Sequence, residues 1–415
     1  MRSVLGLNGL NFFTAAVQAG FGPFIAVWLT QQAWSATALG LALSVGTLAA
    51  LIGQVPGGML VDQIHAKRYA AVGALLVMGL AAVGLCLSSS VPSVWGAEVG
   101  HALASCVMTP AIAALTLTVC GHDGFGERLG RNTRYAALGS AASAAVLGVA
   151  ASYFSQRAVF AVTAALVVPA LVAVFMIKAD DQVADDHPAL KHPREREHWP
   201  WQVFAEPALH VFAVAVVLFH FANAALLPLA LNELTRHQGA SGFLVSATIV
   251  VPQMITAALA PWAGTLAQRI GRRPVLIAGF AAVPLRAVLF AVVPGALPLA
   301  VFQALDGISA AVFGVMLPLI AADVTRRTGY LNLAIGSLGL AAGVGATCST
   351  VIAGWIAEHF GPQMMFLSLA GAGSVATALL WLGMPETRPS PERSAPDRPS
   401  KGSGRRNAKK ATLTA

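Results

Sequence analysis

Charge is what this chain of 415 residues has least of. Only 11% of it is Asp, Glu, Lys or Arg, where a soluble protein carries about a quarter. No stretch is both polar enough and long enough to fold as a separate water-soluble domain, which argues against an appended enzyme or receptor domain. The phosphate loop Gly-x-x-x-x-Gly-Lys-(Ser/Thr) is missing, so ATP is not the direct energy source. The four cysteines (Cys86, Cys106, Cys120 and Cys348) are scattered, mostly inside apolar runs. They lack metal or redox spacing and read as small packing residues. His and Asp show no metal-ligand spacing either. Neither a metal nor a cofactor is expected, and the chain is not read as an enzyme.

Apolar residues make up 56% of the chain, and a mean hydropathy of +0.70 places it in the membrane class. A membrane helix needs about 20 mostly apolar residues, so this length holds about a dozen spans with short loops. Pro, Gly and charge punctuate the apolar runs into spans near 5–29, 37–61, 70–89, 94–119, 135–155 and 158–177. A second set falls near 207–230, 240–262, 274–294, 298–322, 332–356 and 364–383. The charged, proline-containing segment from Lys178 to Trp201 separates six spans from six. The final thirty or so residues, rich in Arg, Lys, Pro and Ser, read as a disordered basic tail. The expected architecture is all-α and integral to the membrane. It comprises a six-helix bundle over 1–178, a cytoplasmic loop over 179–205, a second bundle over 206–384 and a tail over 385–415.

Basic residues set the orientation. One set of alternate loops carries Lys67/Arg68, Arg128/Arg131/Arg134, Lys178/Lys191/Arg194/Arg196, Arg269/Arg272/Arg273, Arg326/Arg327 and the tail. The opposite set holds only Arg157 and Arg236. The basic side is therefore expected in the cytoplasm of a cell with a bacterial-type inner (plasma) membrane. An even number of spans puts both termini there. The formal net charge of +8 is thus topology and not a nucleic-acid footprint. A cleaved signal peptide ending near Ala19–Gly20 fits loosely, but the apolar run continues to Leu29, so the first span reads as integral.

The two halves repeat one another. Gly58-x-Leu60 after span 2 matches Gly264-x-Leu266 after span 8. Met108-Thr-Pro110 matches Met316-Leu-Pro318, Pro23 matches Pro228, and Gly139-Ser140 matches Gly336-Ser337, all displaced by roughly 200 residues. The same displacement sets Glu98 on Asp306 and Gln18 on Asn223. The run Gly58, Leu60, Asp62 and Lys67 resembles the signature Gly-x-Leu-x-Asp-(Arg/Lys)-x-Gly-(Arg/Lys)-(Arg/Lys) of the major facilitator superfamily, with departures at Gln63, His65 and Ala66. The second copy keeps Gly264, Leu266, Arg269, Gly271, Arg272 and Arg273 but has Gln268 in place of the acid. The resemblance runs from about residue 5 to 385. It implies a fold of two six-helix bundles and a conformational latch in which the acid grips the opposite half. That latch set is Gly58, Asp62, Lys67, Arg68, Gly264, Gln268, Arg269 and Arg272. Physically, glycines allow close helix approach in lipid, and Asp62 suits a helix N-terminus, where unpaired N–H groups favour an anion. An ordinary hydrophilic turn is the competing reading for both copies.

Charges within spans are functional candidates by default. Glu98 and His101 (span 4), His220 (span 7), Arg286 (span 9) and Asp306 (span 10) are the prominent ones. The family resemblance implies that spans 1, 4, 7 and 10 line a central cavity. Glu98 and His101, three residues apart, share a helix face; with Asp306 they form the expected proton-coupling set, since His titrates near neutrality. Alternatively, Glu98 only meets water near the outer end of its span. Arg286 and Asp306 lie at similar depth, roughly 12 Å in, and are expected to form an ion pair, either structural or a switch. Asn11, Gln18, His220 and Asn223 offer sparse hydrogen-bonding groups for an organic solute. His220, among aromatics, also fits a core residue bonded to a backbone carbonyl. Gly20, Gly22, Pro23, Pro56 and Gly57 are expected to shape helix bends.

The expected function is secondary active transport by a monomer in the lipid bilayer, with a small-molecule substrate and protons as partners and no nucleic acid. Proton-coupled efflux of a small organic compound or drug leads. The alternative is proton-coupled uptake of a metabolite, nutrient or metal-chelate compound. Drug–proton antiporters of the family usually carry a Gly-Pro motif in span 5, where this chain has Ser143 and Ala144, and an Arg in span 4, where it has Glu98 and His101. Both departures count against the antiporter reading without touching the fold.

Overall fold

The computed structural model describes residues 2–64, 66–178, 199–238 and 242–388. The central segment 179–198, His65 and the tail beyond Arg388 lie outside the described residues, and with them Lys191, Arg194 and Arg196. Among the described residues the chain is helical. Lipid offers no partner for a free backbone N–H or C=O, and a helix satisfies both internally.

The first half comprises α1 (Arg2–Ala19), α2 (Gly22–Gln31), α3 (Ala36–Gln63), α4 (Lys67–Leu87), α5 (Val91–Tyr153) and α6 (Gln156–Met176). A 3-10 turn at Pro200–Ala205 leads into the second half. That half comprises α7 (Pro207–Ala224), α8 (Leu226–Gln238), α9 (Gly242–Ile270), α10 (Arg272–Val292), α11 (Ala296–Val324), α12 (Leu331–Phe360) and α13 (Pro362–Gly383). Ser35 and Ser155 cap α3 and α6 by accepting from the backbone N–H groups of Ala38 and Ala158, each at 3.2 Å.

Among the described residues, eleven helical stretches are long and apolar enough to cross a membrane. One of them, α5, has 63 residues, about 95 Å if straight, or three times the hydrocarbon core. It is not straight: Gly121 leaves helical geometry with φ 64° and ψ −175°. The Asn132 amide then donates to the Thr116 hydroxyl at 2.7 Å, although these residues would be about 24 Å apart along one helix. The element is two antiparallel spans joined at one glycine, so the chain crosses twelve times. The halves also share a break in their first span, at Gly20–Phe21 between α1 and α2 and at Ala225 between α7 and α8. The Ser349 hydroxyl accepts the freed N–H of Ala225 at 3.2 Å.

Two sequence-based boundaries change. Gly58–Gln63 and Gly264–Ile270 are the last turns of α3 and α9 and not loops, because their glycines pack on the opposite half and their backbones continue the helical ladder. The second turn shrinks to Gly271, whose φ of 108° suits glycine alone. Arg128, Arg131 and Arg134 likewise sit inside α5, where the helix begins directly after Gly121. The expected tail begins ordered. Glu386 accepts from the N–H groups of Arg272 and Arg273, Thr387 donates to Asp323, and Arg388 donates to the Arg269 carbonyl.

Two apolar cores form, one per half. The second continues into the first half through Ala113, Leu117, Phe125 and Leu129, all at the end carrying the basic residues. There the halves meet along two seams, α3 on α12 and α5 on α9. On the α3–α12 seam, a Cβ at Gly58 would collide with the Asn332 carbonyl, and one at Gly336 with that of Gln54. On the α5–α9 seam, Gly264 faces the Gly126 carbonyl and Gly130 that of Ala260. Further along the same helix faces the contact ends. After Leu51 and Gly343 come Thr47 and Ser44 on α3, and Thr347 and Thr350 on α12. All four are exposed, each with its hydroxyl bonded to its own helix. The helices splay, so the molecule is closed at the basic end and open toward the other.

Candidate functional site

The inner wall of the second half is organised by a buried cation. Arg286 of α10 is 1% exposed and pairs with Asp306 of α11 at 2.6 Å. It also donates to Gln303 at 3.0 Å and to Asn223 of α7 at 2.5 Å. The Gln303 amide passes the network on to the Thr248 carbonyl of α9 at 3.1 Å. Four helices are thereby tied around one guanidinium, whose planar fork suits several acceptors at once. The Asp306 side chain keeps 25% of its surface exposed, so the pair is buried on the arginine side and accessible on the carboxylate side. Gln303, one turn before Asp306, escaped the sequence reading; a second polar residue at i−3 in an apolar span was the available signal.

At the equivalent place in the first half, Glu98 of α5 has no ion pair or hydrogen bond among the described residues. Its carboxylate lies against Gly46 of α3, where a Cβ would collide with it. His101 turns elsewhere. Its ring stacks on Phe21, at the break of the first span, with centroids 3.9 Å apart and planes 10° from parallel. Its buried Nε2 has no hydrogen-bond partner among the described residues. The two side chains leave one helix face but meet different neighbours, α3 and the α1–α2 break. Asp306 lies in the other half, so the three groups do not form a single cluster.

The expected solute-binding groups are largely engaged. Asn11 is buried and donates to the Leu7 carbonyl at 2.8 Å. The half-buried Gln18 reaches the Ser105 hydroxyl on α5 at 3.4 Å. His220 places Nδ1 3.1 Å from the Val216 carbonyl, with its ring edge-on to Phe219 and Phe313. This is the core-histidine arrangement. Asn223 belongs to the Arg286 network.

At the basic end, Asp62 of α3 accepts from the Asn332 amide and from the Leu333 N–H, each at 2.9 Å. It thus sits on the first turn of α12, where exposed N–H groups favour an anion. Gln268 of α9 faces α5 in the opposite sense, donating to the Asp123 carbonyl at 2.6 Å. Of the remaining expected latch residues, Lys67 donates to the carbonyls of Val61 and Asp62. Arg272 pairs with the buried Asp323 at 2.9 Å within the second half. Arg68 lies over Tyr69 on its own helix, and the exposed Arg269 side chain has no partner among the described residues. The residues that bridge the halves are therefore Gly58, Asp62, Gly264 and Gln268.

A second polar knot escaped the sequence reading because Arg128 was placed in a loop. Arg128 is buried and donates to Asn132 at 3.0 Å and to Asn8 and the Val4 carbonyl of α1. The Asn132–Thr116 bond completes the link across the bend of α5.

The sequence profile of the Major Facilitator Superfamily matches the chain twice, over residues 7–217 and 212–414, one match to each half. Proteins from two strains of Mycobacterium tuberculosis, each described as an uncharacterized MFS-type transporter, are 35% identical over 398 residues, covering 93% of this chain and 94% of theirs. Among solved structures, the proton:xylose symporter XylE superposes with a TM-score of 0.72 at 15% identity, over 93% of this chain and 96% of the other. The Escherichia coli fucose:proton symporter FucP gives 0.72 at 14% identity, over 91% and 97%. With two pseudo-symmetric six-helix bundles, a family profile matching each half and full-length relatives at 35% identity, the chain belongs to the Major Facilitator Superfamily and is a multi-pass membrane transporter, not an enzyme.

Proposed function

We propose that this transporter couples proton movement to the efflux of a small organic compound. The observation that carries the coupling is Glu98, an acid within a span that has no counter-charge or hydrogen bond among the described residues, set on the wall of a pathway closed at one end. A carboxylate placed this way exchanges protons with whichever compartment the pathway faces. Asp306, partly accessible but bound to Arg286, serves as a second, ion-pair-gated acid, and His101 as a neighbouring proton acceptor. The Asp62 contact with α12 acts as the latch of this state, Gln268 as its weaker counterpart. Gly58 and Gly264 let the seams close, Lys67 and Arg272 hold the helix ends, Arg68 lies half-buried over Tyr69 and Arg269 faces solvent or headgroups. The basic end, by charge distribution, faces the cytoplasm of an inner membrane, with both termini inside. The state described is then outward-open, and the protein acts as a monomer.

Proton-coupled uptake of a metabolite, nutrient or metal-chelate compound is the second reading. It is favoured by the open outer side of the resting pathway, the side from which a symporter loads, and XylE and FucP are themselves proton symporters. The test begins with metabolite and toxin levels inside deletion and overexpressing cells. The leading compound is then followed in proteoliposomes under an imposed pH gradient. Efflux coupling predicts movement against incoming protons, uptake predicts movement with them, and Glu98→Gln removes the gradient dependence in either case. A wild-type flux indifferent to the gradient would overturn proton coupling.

A further inference from the structure

Outside the pathway, the basic end holds a cleft of about 660 Å³ between α1, α5 and α9. It lies at the seam between the halves, which Arg134 crosses. Its charged lining is unbalanced: Arg128, Arg131 and Arg134 from α5 and Arg269 from α9 face a single acid, Glu127. Glu127 is taken by Arg131 at 2.6 Å, and Arg128 is spent on Asn132 and Asn8. Arg134 donates from its Nε to the Ala257 carbonyl across the seam at 2.8 Å, and its two terminal nitrogens have no partner among the described residues. Arg269 has no side-chain partner among the described residues. Two guanidinium groups, one from each half, thus line one cavity without counter-charge.

The depth of the cleft identifies what meets it. The segment Tyr135–Tyr153 alone measures about 29 Å, which matches the hydrocarbon core. Arg134 and the turns before it therefore stand at headgroup level on the basic side. Trp262, on the cleft rim and 74% exposed, packs beside the Gly130–Ala260 contact at that same level, where tryptophan favours the lipid interface. Basic pockets between membrane helices at this level suit phosphate headgroups, and guanidinium groups bind phosphate oxygens in a forked, charge-assisted manner.

We infer that this cleft seats the phosphate of an anionic phospholipid, which bridges Arg134 of the first half and Arg269 of the second and so reinforces the closed basic end. That the lipid comes from the cytoplasmic leaflet rests on the orientation proposed above; the binding itself does not. The test uses the purified full chain, with native mass spectrometry and thermal unfolding in the presence of phosphatidylglycerol, cardiolipin, phosphatidylcholine, inorganic phosphate or AMP. Phosphatidylglycerol and cardiolipin are expected to remain bound and raise the unfolding temperature, with phosphatidylcholine, phosphate and AMP without effect. Arg134→Gln/Arg269→Gln should lower anionic-lipid occupancy at least 5-fold, while Arg157→Gln at the opposite end leaves it unchanged. Should the double variant fold poorly, Arg269→Gln alone, whose side chain has no bond among the described residues, is expected to lower occupancy 2-fold or more. Equal stabilisation by phosphate or AMP would mean a soluble anion and overturn the lipid assignment. Equal retention of phosphatidylcholine, or unchanged occupancy in the variants, would overturn the site. Lipid occupancy is read without transport, so its failure leaves proton coupling standing, and the reverse holds too.

Discussion

The two halves of this transporter share a scaffold and differ in where they place charge. At the basic end, Asp62 presents an anion to the N-terminus of α12, whereas Gln268 presents an amide to a carbonyl of α5. Within the spans, Glu98 has no counter-charge among the described residues, while its counterpart Asp306 is paired with Arg286. The glycines that set the helices flush are present in both copies. Steric fit has thus been kept symmetric and electrostatics made asymmetric. One seam is held by a carboxylate against a helix end, the other by packing, the neutral Gln268 bond and the Arg134 bond to the Ala257 carbonyl. One mid-span acid is held in an ion pair, and the other has neither ion pair nor hydrogen bond among the described residues.

The mid-span contrast gives the largest expected effect. Asp306→Asn leaves Arg286 buried and uncompensated, a cost of about 3–5 kcal/mol, seen as a large fall in unfolding temperature. Glu98→Gln breaks no bond and should change stability by less than about 1 kcal/mol. Equal losses from both would erase the distinction.

The seam comes next. Gln268→Glu removes a donor and sets a carboxylate against the Asp123 carbonyl, weakening that seam by about 1–3 kcal/mol. Asp62→Asn keeps the shape but loses the charge at the helix end, at about 1–2 kcal/mol. Both should speed alkylation of Cys120, which packs beside the seam, in a chain whose other three cysteines are replaced. No change for Asp62→Asn would reduce it to a polar turn. The smallest effect belongs to Arg68→Ala. This half-buried arginine contacts Tyr69 on its own helix and reaches nothing in the opposite half among the described residues, and less than about 0.5 kcal/mol is expected, with no change in Cys120 labelling.

Much of this architecture was legible because it depends on spacing. Apolar run lengths gave the crossings, the repeat paired Glu98 with Asp306, and equal depth paired Arg286 with Asp306. The chemistry of Asp62 was legible because a lone acid after a helix-packing glycine has few partners. Rotation was not legible. Nothing in the spacing of Asn11, His220 or Asn223 tells whether an amide or imidazole faces a cavity, its own helix or a buried arginine, and all three proved occupied. Nor was it apparent that Arg128 continues a helix. Its burial depends on Asn8, more than a hundred residues earlier, and no local pattern carries that contact. Residues Pro385–Arg388 were hidden in the same way, since their order comes from the backbone of Arg272 and Arg273 and the carboxylate of Asp323.

The single-glycine bend at Gly121 has a mechanical consequence. Most neighbouring spans in a membrane bundle are joined by slack that lets each tilt independently. Here one limb carries Glu98 and His101 and the other carries Gly126, Gly130 and Arg134, which face the opposite half. With no loop to absorb displacement, and with Asn132 tied to Thr116 just above the bend, the two limbs act as a bell-crank. A tilt imposed on the arm bearing the acid is delivered to the arm that closes the seam, and lengthening this joint by a few flexible residues would let the arms slip.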